Sequence, residues 1–170
     1  MIDAGNMRIM VFLHGTTIMQ KTGLGRTRGE RVQQVMDREE SVCDFASYIP
    51  IDDAVVKLRK WQEQGADIFY VTFRQKAEDV EVDKSVLAKH GFPDGLVLFR
   101  HQGEGYRDLA EKLKPDVLIE DDCQSIGGNK QTISAQLTSD VQRSIRAITV
   151  REFEGIDHLA DDLSELKQAM

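Results

Sequence analysis

The stretch RIMVFLHGTTI, residues 8–18, decides the fold that the sequence predicts. Five consecutive apolar residues at 9–13 predict a strand that is buried on both faces, and the HGTT turn at 14–17 ends it. Strands of this kind are typical of parallel sheets that helices cover on both sides. In an open sheet of this class, the turn after such a strand is where ligands bind.

Length and composition predict a single domain over residues 1–170. Of the 170 residues, 41% are hydrophobic and 30% are charged, which is the balance of an ordinary globular protein with one sizeable core. Cys43 and Cys123 form no CxxC pair and no other metal-binding spacing, which favours a reducing compartment. No apolar run approaches the roughly 20 residues that span a bilayer. The sequence therefore predicts a cytoplasmic protein that has no membrane partner.

The charge distribution restricts the partners that the protein can bind. A net charge of −7 and a pI near 5.1 argue against a general nucleic-acid surface, which needs clustered Lys and Arg. Residues 21–31 are the exception, because four basic residues and one acid give them a local charge of +3. This basic segment suits the capture of a phosphate or nucleotide, and it is equally compatible with a solvated loop. A nucleic acid would have to bind there.

Strand and helix patterns alternate along the rest of the chain. The predicted strands after the first are residues 67–72, 96–99, 117–119 and 145–150. Amphipathic helices separate them, and Thr27 and Glu30 have the spacing of a helix capping box. Leu159, Leu163 and Leu166 predict a last helix. This order favours a parallel sheet of five strands with helices on both faces.

Polar residues follow four of the five predicted strands, where the carboxyl ends of parallel strands converge on one crevice. They are His14 to Thr17, Thr72 to Arg74, Arg100 with His101, and Glu120 to Asp122. A Thr at such a strand end can donate its hydroxyl and backbone N–H to a phosphate oxygen. A neighbouring Arg can balance the charge of the anion. Paired carboxylates beside a backbone carbonyl are the hard oxygen ligands that Mg²⁺ prefers.

Three of these segments resemble motifs of the haloacid dehalogenase (HAD) superfamily of phosphohydrolases. RIMVFLHGTTI at 8–18 is similar to the first motif, in which two aspartates separated by one residue precede Gly-Thr. IFYVTFR at 68–74 resembles the second motif, and PDVLIEDD at 115–122 resembles the fourth. The resemblance covers residues 8–150 and favours the nucleotidase-like and phosphatase-like branch. It implies a Rossmann-like α/β fold of about five parallel strands, with a small cap inserted at 19–49.

The resemblance also implies a set of site residues. Phosphate would be bound by residues of the first and second motifs, with Arg107 in the place of the lysine of the third motif. The implied phosphate ligands are Gly15, Thr16, Thr72, Arg74 and Arg107. Lys112 and Lys114 are alternatives to Arg107. Asp121, together with Asp122 or Glu120, would hold Mg²⁺.

The first motif departs from the family at its two aspartate positions. Phe12 stands at the position of the nucleophile, and His14 stands at that of the general acid/base. A phenyl ring cannot attack phosphorus, and its presence removes one carboxylate from the magnesium shell. The sequence therefore predicts a weak magnesium site. For His14 it leaves four roles open: nucleophile, general base, cationic phosphate ligand, or turn residue.

Two functions fit these observations. The first is a divergent HAD-like protein that binds a phosphorylated small molecule, with a nucleotide as one candidate. Its phosphohydrolase activity would be lost or altered, and any hydrolysis would proceed without the usual aspartyl-phosphate. The alternative is a non-catalytic regulatory or interaction module that binds a protein or a nucleic-acid end. An unrelated nucleotide-binding domain lacks support, because neither GxGxxG nor GxxxxGK[ST] follows any predicted strand.

Overall fold

The centre of the molecule is a parallel sheet. The computed structural model describes residues 6–168. Five strands make up this sheet: β1 (Arg8–Phe12), β4 (Asp67–Val71), β5 (Gly95–Leu98), β6 (Val117–Asp121) and β7 (Arg146–Val150). Their order is β5-β4-β1-β6-β7, and every pair is parallel. The predicted α/β fold with five parallel strands is confirmed.

Helices cover both faces of this sheet, as the sequence predicted. They are α1 (Arg28–Met36), α2 (Glu40–Cys43), α3 (Ala54–Glu63), α4 (Ala77–Lys89), α5 (Tyr106–Leu113), α6 (Ile133–Gln136), α7 (Ser139–Ser144) and α8 (Leu163–Gln168). The buried side chains of β1 alternate between two hydrophobic clusters. Ile9 and Val11 pack in the cluster that contains Trp61 of α3, whereas Met10 packs with Leu109 of α5. This alternation explains why the central strand is apolar from Ile9 to Phe12.

The capping box that the sequence predicted opens α1. The Thr27 hydroxyl accepts a hydrogen bond from the Glu30 backbone N–H at 3.2 Å, and the Thr27 N–H donates to the Glu30 carboxylate at 3.1 Å. These bonds satisfy two backbone donors that the first turn of a helix would otherwise leave free. The start of α1 is thus fixed by local sequence.

A short antiparallel pair separates residues 20–48 from the sheet. The two strands are β2 (Ile18–Met19) and β3 (Ile49–Pro50), and Met19 pairs with Ile49. We call residues 20–48 the insertion; it contains α1, α2 and two 3-10 turns. Val32 of α1 packs in a small cluster of its own with Met19, Ile51 and Phe153. The insertion therefore leaves the sheet and returns to it next to the end of β1.

The predicted start of the last helix was wrong. The last helix begins at Leu163, so Leu159 lies outside it, because the Asp162 carboxylate accepts the backbone N–H groups of Ser164 and Glu165 at the helix start. β6 continues past Ile119 to Asp121, because its last residues still pair with β7. Residues 123–144 contain α6, α7 and two 3-10 turns. Within the described part of the chain, no helix is long and apolar enough to cross a membrane.

The packing of α3 on the sheet gives a stability prediction. Leu58 is fully buried, whereas Val56, two residues earlier, is 50% exposed. We expect Leu58→Ala to lower the free energy of unfolding by about 2–5 kcal/mol, because it leaves a cavity in the core. Val56→Ala is the matched control and should change it by less than about 0.5 kcal/mol. Urea denaturation measures both, and similar losses in the two variants would contradict this packing.

Candidate functional site

A crevice of about 790 Å³ lies at the carboxyl ends of the strands, beneath the insertion. Its lining combines the polar turns after the strands with apolar side chains of the insertion. Strand-end residues include Phe12, His14, Gly15, Phe73, Arg74, Arg100, Asp121 and Glu152, and insertion residues include Val35, Met36, Val42, Phe45 and Tyr48. A separate depression of about 640 Å³ lies beside β7; of the predicted site residues, it contains Asp122.

Phe12 gives the crevice an apolar floor at the end of β1. Its ring meets that of Tyr106, the first residue of α5, edge to face at a centroid distance of 5.5 Å. Both rings line the crevice. The position that carries the nucleophile in the family motif therefore supports an aromatic pair in this protein.

Thr72 lies beneath the crevice and does not line it. Its hydroxyl donates to the Asp83 carboxylate at 2.6 Å and accepts the backbone N–H of Arg74 at 3.1 Å. Thr72 is fully buried, and Asp83 reaches it from α4. The hydroxyl therefore fixes the backbone of Arg74.

His14 is packed between aromatic rings near the same carboxylate. Its ring lies 4.6 Å from that of Phe73 and 5.4 Å from that of Tyr48. Nε2 is 3.3 Å from an Asp83 oxygen but is not aligned for a hydrogen bond, and neither ring nitrogen has a hydrogen-bond partner among residues 6–168. Burial lowers the pKa of His14 below its usual 6.5, and the Asp83 charge offsets only part of that effect. The imidazole is therefore neutral at pH 7, which disfavours a role as a cationic phosphate ligand.

Arg74 is a buried cation that lies against two aromatic rings. Its guanidinium carbon lies 3.3 Å from the centroid of Phe45 and 4.2 Å from that of Phe73, and the residue is only 7% exposed. Nε and Nη2 are buried and have no hydrogen-bond partner within the described chain. These two nitrogens form one edge of the guanidinium plane, the edge that can bind two oxygens of an anion together.

Arg100 is a second cation in the crevice, and the sequence analysis did not assign it a ligand role. It follows β5, and its guanidinium carbon lies 4.1 Å from the centroid of Tyr106. Its Nη2 donates to the backbone carbonyl of Phe73 at 3.4 Å. Both Arg74 and Arg100 thus contact Phe73. Their common signal in the sequence is an Arg within three residues of the end of an apolar strand.

The residues considered for the lysine of the third motif do not line this crevice in the described structure. Arg107 is 53% exposed on its side chain, and its Nε lies 3.7 Å from Glu111. Lys112 pairs with Glu104 at 2.6 Å, and Lys114 ends α5 in a left-handed conformation. Since Tyr106 faces the crevice, the helical rotation of about 100° per residue turns Arg107 away from it.

Three carboxylates meet at the ends of β6 and β7. Oxygens of Asp121, Asp122 and Glu152 lie within 4.8 Å of one another. Asp121 accepts the Thr16 hydroxyl at 2.9 Å and the Cys123 backbone N–H at 2.8 Å. Glu152 was missed in the sequence analysis, since a lone Glu after the last strand gives no distinctive signal.

Gly15 allows the carboxylates to approach the first turn. Its φ is +82°, a region that favours glycine. A Cβ added there would lie 3.0 Å from Cγ of Glu152 and 3.1 Å from an Asp121 oxygen. Glu120 is not part of this carboxylate cluster. Its carboxylate accepts the backbone N–H groups of Ile133 and Ser134 at 2.6 and 2.9 Å.

The electrostatics of the carboxylate cluster fit a divalent cation. Burial, together with the charge of Glu152, raises the pKa of Asp121 to about 7, and burial raises the pKa of Glu152 as well. All the donor atoms are carboxylate oxygens, the hard ligands that Mg²⁺ prefers. Arg28 already pairs with Asp122, and Ser125 donates to both oxygens of Glu152, so a bound ion would share these carboxylates. These residues therefore suit a magnesium ion.

Cations of the basic segment form bonds within the protein. Arg28 binds Asp122 at 3.2 Å and donates to the backbone carbonyl of Glu152 at 2.9 Å. Arg31 donates to the carbonyl of Phe153 at 2.8 Å. Hydrogen bonds of Arg28 and Arg31 therefore connect α1 of the insertion to the loop after β7.

Comparison with known proteins gives matches at the level of structure. No protein-family model matches the sequence, and no curated protein matches it. The class C acid phosphatase from Bacillus anthracis superimposes with a TM-score of 0.57 at 14% identity, covering 89% of this chain and 69% of that one. Its tungstate-bound structure gives 0.56 at 14% identity, covering 88% and 69%. A chain of the Pnkp1/Rnl/Hen1 complex gives 0.53 at 14% identity, covering 88% and 48%. The present chain thus spans about half the length of that last relative.

The chain has a HAD-like fold. The first, second and fourth motifs had predicted this fold, and the likeness to the phosphatase structures confirms it. The nucleophile motif is degenerate at Phe12. At 14% identity the likeness establishes the fold alone, so the activity has to be argued from the residues of the crevice.

The environment of His14 gives a pH prediction. We expect its imidazole to titrate below pH 6.5, because burial disfavours the charged ring more than Asp83 favours it. The proton binds more readily in the unfolded chain, so the stability due to His14 is complete above about pH 6.5 and is lost as pH falls through the folded pKa. An NMR titration measures the midpoint, with the signal assigned from its loss in His14→Gln. A midpoint above 6.5 would show that Asp83 dominates.

Proposed function

We propose that this protein binds a phosphorylated small molecule in the crevice, with a nucleotide as one candidate, and that it forms no aspartyl-phosphate. Any phosphohydrolase activity is lost or altered. The observation that carries the proposal is the buried guanidinium of Arg74. The HAD-like scaffold supports the assignment to this class of ligand.

Burial lowers the pKa of Arg74, because the nearby charges of Asp83 and Asp79 offset only part of the cost, and an anion would offset the rest. A charge removed from water without a partner is costly, and unpartnered N–H groups add to that cost. The rings of Phe45 and Phe73 stabilise the faces of the cation but leave the Nε and Nη2 edge without an acceptor. A phosphate can supply two oxygens to this edge. Arg100, which also contacts Phe73, provides the second charge for a dianion.

Because of Phe12, this protein lacks the nucleophile with which the HAD family reaction begins. The family reaction begins with attack by a carboxylate at this position, and an aromatic ring offers no nucleophile. The neutral His14 has Asp83 beside it, yet both nitrogens are buried. We therefore assign to the crevice the binding of the phosphate group, without covalent catalysis.

Magnesium is the cation that the carboxylate cluster suits, and we propose Asp121 and Asp122 as its ligands. When bound there, the ion supplies positive charge to the phosphate oxygens. Thr16 positions Asp121 through its hydroxyl, and Gly15 leaves room for the carboxylates. The predicted roles of Gly15 and Thr16 thus become indirect ones in this proposal.

Binding of inorganic phosphate tests the anion site. We expect millimolar phosphate to raise the melting temperature by mass action, and Arg74→Gln to weaken binding about tenfold or more through loss of a charged hydrogen-bonding group. Arg107→Gln is the matched control, because Arg107 is exposed and paired with Glu111. It should bind phosphate as the wild type does.

The melting temperature of each variant without phosphate separates a binding defect from misfolding. Arg100→Gln provides a second test, since Arg100 reaches the crevice from another strand. Equal phosphate affinity in the Arg74→Gln and Arg107→Gln variants would place the anion elsewhere. Absence of any shift in the wild type would refute the proposed function.

Turnover tests the loss of the nucleophile. With magnesium and p-nitrophenyl phosphate, we expect a rate below the ordinary enzymic range of about 1–1,000 per second, because Phe12 cannot form a phosphoenzyme. The rate of p-nitrophenol release measures this, with Asp121→Asn as the control for contaminating phosphatase. A rate within that range that Asp121→Asn abolishes would show that another group performs the chemistry.

A further inference from the structure

The crevice is much larger than a phosphate group. Its volume of about 790 Å³ is in the range of roughly 300–1,000 Å³ that holds a drug-sized ligand. Arg74 and Arg100 both lie beside Phe73 and occupy one part of it. The organic group of a phosphate ester would fill the remainder, so its lining indicates which group fits.

That remainder is lined largely by apolar and aromatic side chains, and its polar members include Arg38, Gln131 and Gln136. Met36 of α1 is 58% exposed, and Val35 and Val42 of the insertion line the crevice beside it. Ile126, from the loop after β6, contributes another exposed apolar side chain. Six aromatic rings besides His14 complete the lining: Phe12, Phe45, Tyr48, Phe73, Tyr106 and Phe153.

Two polar side chains of the insertion that line the crevice, Gln20 and Tyr48, already form hydrogen bonds within the protein. Gln20 lines the crevice, but its amide nitrogen already donates to Gln34 and to the carbonyl of Arg31. The Tyr48 hydroxyl donates to the carbonyl of Val42 at 2.7 Å. Against the apolar part of the lining, hydroxyl groups of a sugar would lose hydrogen bonds to water without replacing them, which is unfavourable.

We propose that the crevice selects phosphate monoesters that carry an aromatic or apolar group over sugar phosphates of the same charge. This inference rests on the proposed function, since the phosphate is bound at Arg74 and Arg100. The organic group lies against Met36, Val42 and the aromatic lining. Phe12, at the lost nucleophile position, is part of the surface that it contacts.

Calorimetry of the wild-type protein in EDTA compares ligands of equal charge. We expect phenyl phosphate to bind about tenfold more tightly than glycerol 3-phosphate, as a matched apolar contact usually provides. Adenosine monophosphate and ribose 5-phosphate form a second pair. In this pair the sugar separates the aromatic ring from the phosphate. A gain in the first pair alone indicates an aryl ester, and a gain in the second indicates a nucleotide. Equal affinities within both pairs would overturn the inference.

Two variants locate the organic group. Met36→Gln and Val42→Thr change polarity with little change in size, and each should weaken phenyl phosphate binding about threefold or more while inorganic phosphate binds unchanged. The controls are Leu24→Gln, an apolar residue of the insertion that is 73% exposed, and Val56→Thr on α3. Neither lines the crevice, so both should bind phenyl phosphate as the wild type does.

The two proposals fail in different ways. If inorganic phosphate binds but Met36→Gln and Val42→Thr leave phenyl phosphate binding unchanged, the inference about the organic group is wrong and the anion site stands. If inorganic phosphate and all four esters fail to bind the wild type, the proposed function is wrong and this inference falls with it. Unliganded melting temperatures confirm that each variant is folded.

Discussion

β1 is hydrogen-bonded on both edges, to β4 on one side and to β6 on the other, and it is covered by helices on both faces. The enclosed part of this strand is apolar from Ile9 onward, and polar side chains follow only beyond its carboxyl end. Here that end is Phe12 followed by His14 and Gly15. The neighbouring strands end beside it, so their polar turns meet it in one crevice.

Opposite charges are buried in different parts of that crevice. Arg74 and Arg100 flank Phe73 on the side of β4 and β5, whereas Asp121 and Glu152 lie at the ends of β6 and β7. Each group is partly removed from water, so each interacts strongly with a ligand of the opposite sign. A phosphate and a divalent cation together would complement both. This arrangement of charges supports the phosphate binding that we propose.

The aromatic residues of the crevice contact its arginines and can also contact a ligand. Arg74 contacts Phe45 of the insertion and Phe73, which follows β4, so the cation joins the two parts of the molecule. Phe12 and Tyr106 form a second pair, with Arg100 over Tyr106. Aromatic rings can stabilise cations and also contact apolar groups of a ligand. The substitution of Phe12 for a carboxylate is consistent with a crevice adapted to binding.

The sequence by itself determined the parallel sheet and the cap of α1 at Thr27. It also placed Arg74 and Asp121 at strand ends that meet. These features depend on hydrophobic periodicity and on backbone hydrogen bonds between near neighbours, which short segments encode. Only the tertiary structure joined Arg74 to Phe45 and brought Glu152 to Asp121. Such contacts join side chains that are far apart in the sequence, so they depend on how helices and loops pack and leave no local pattern.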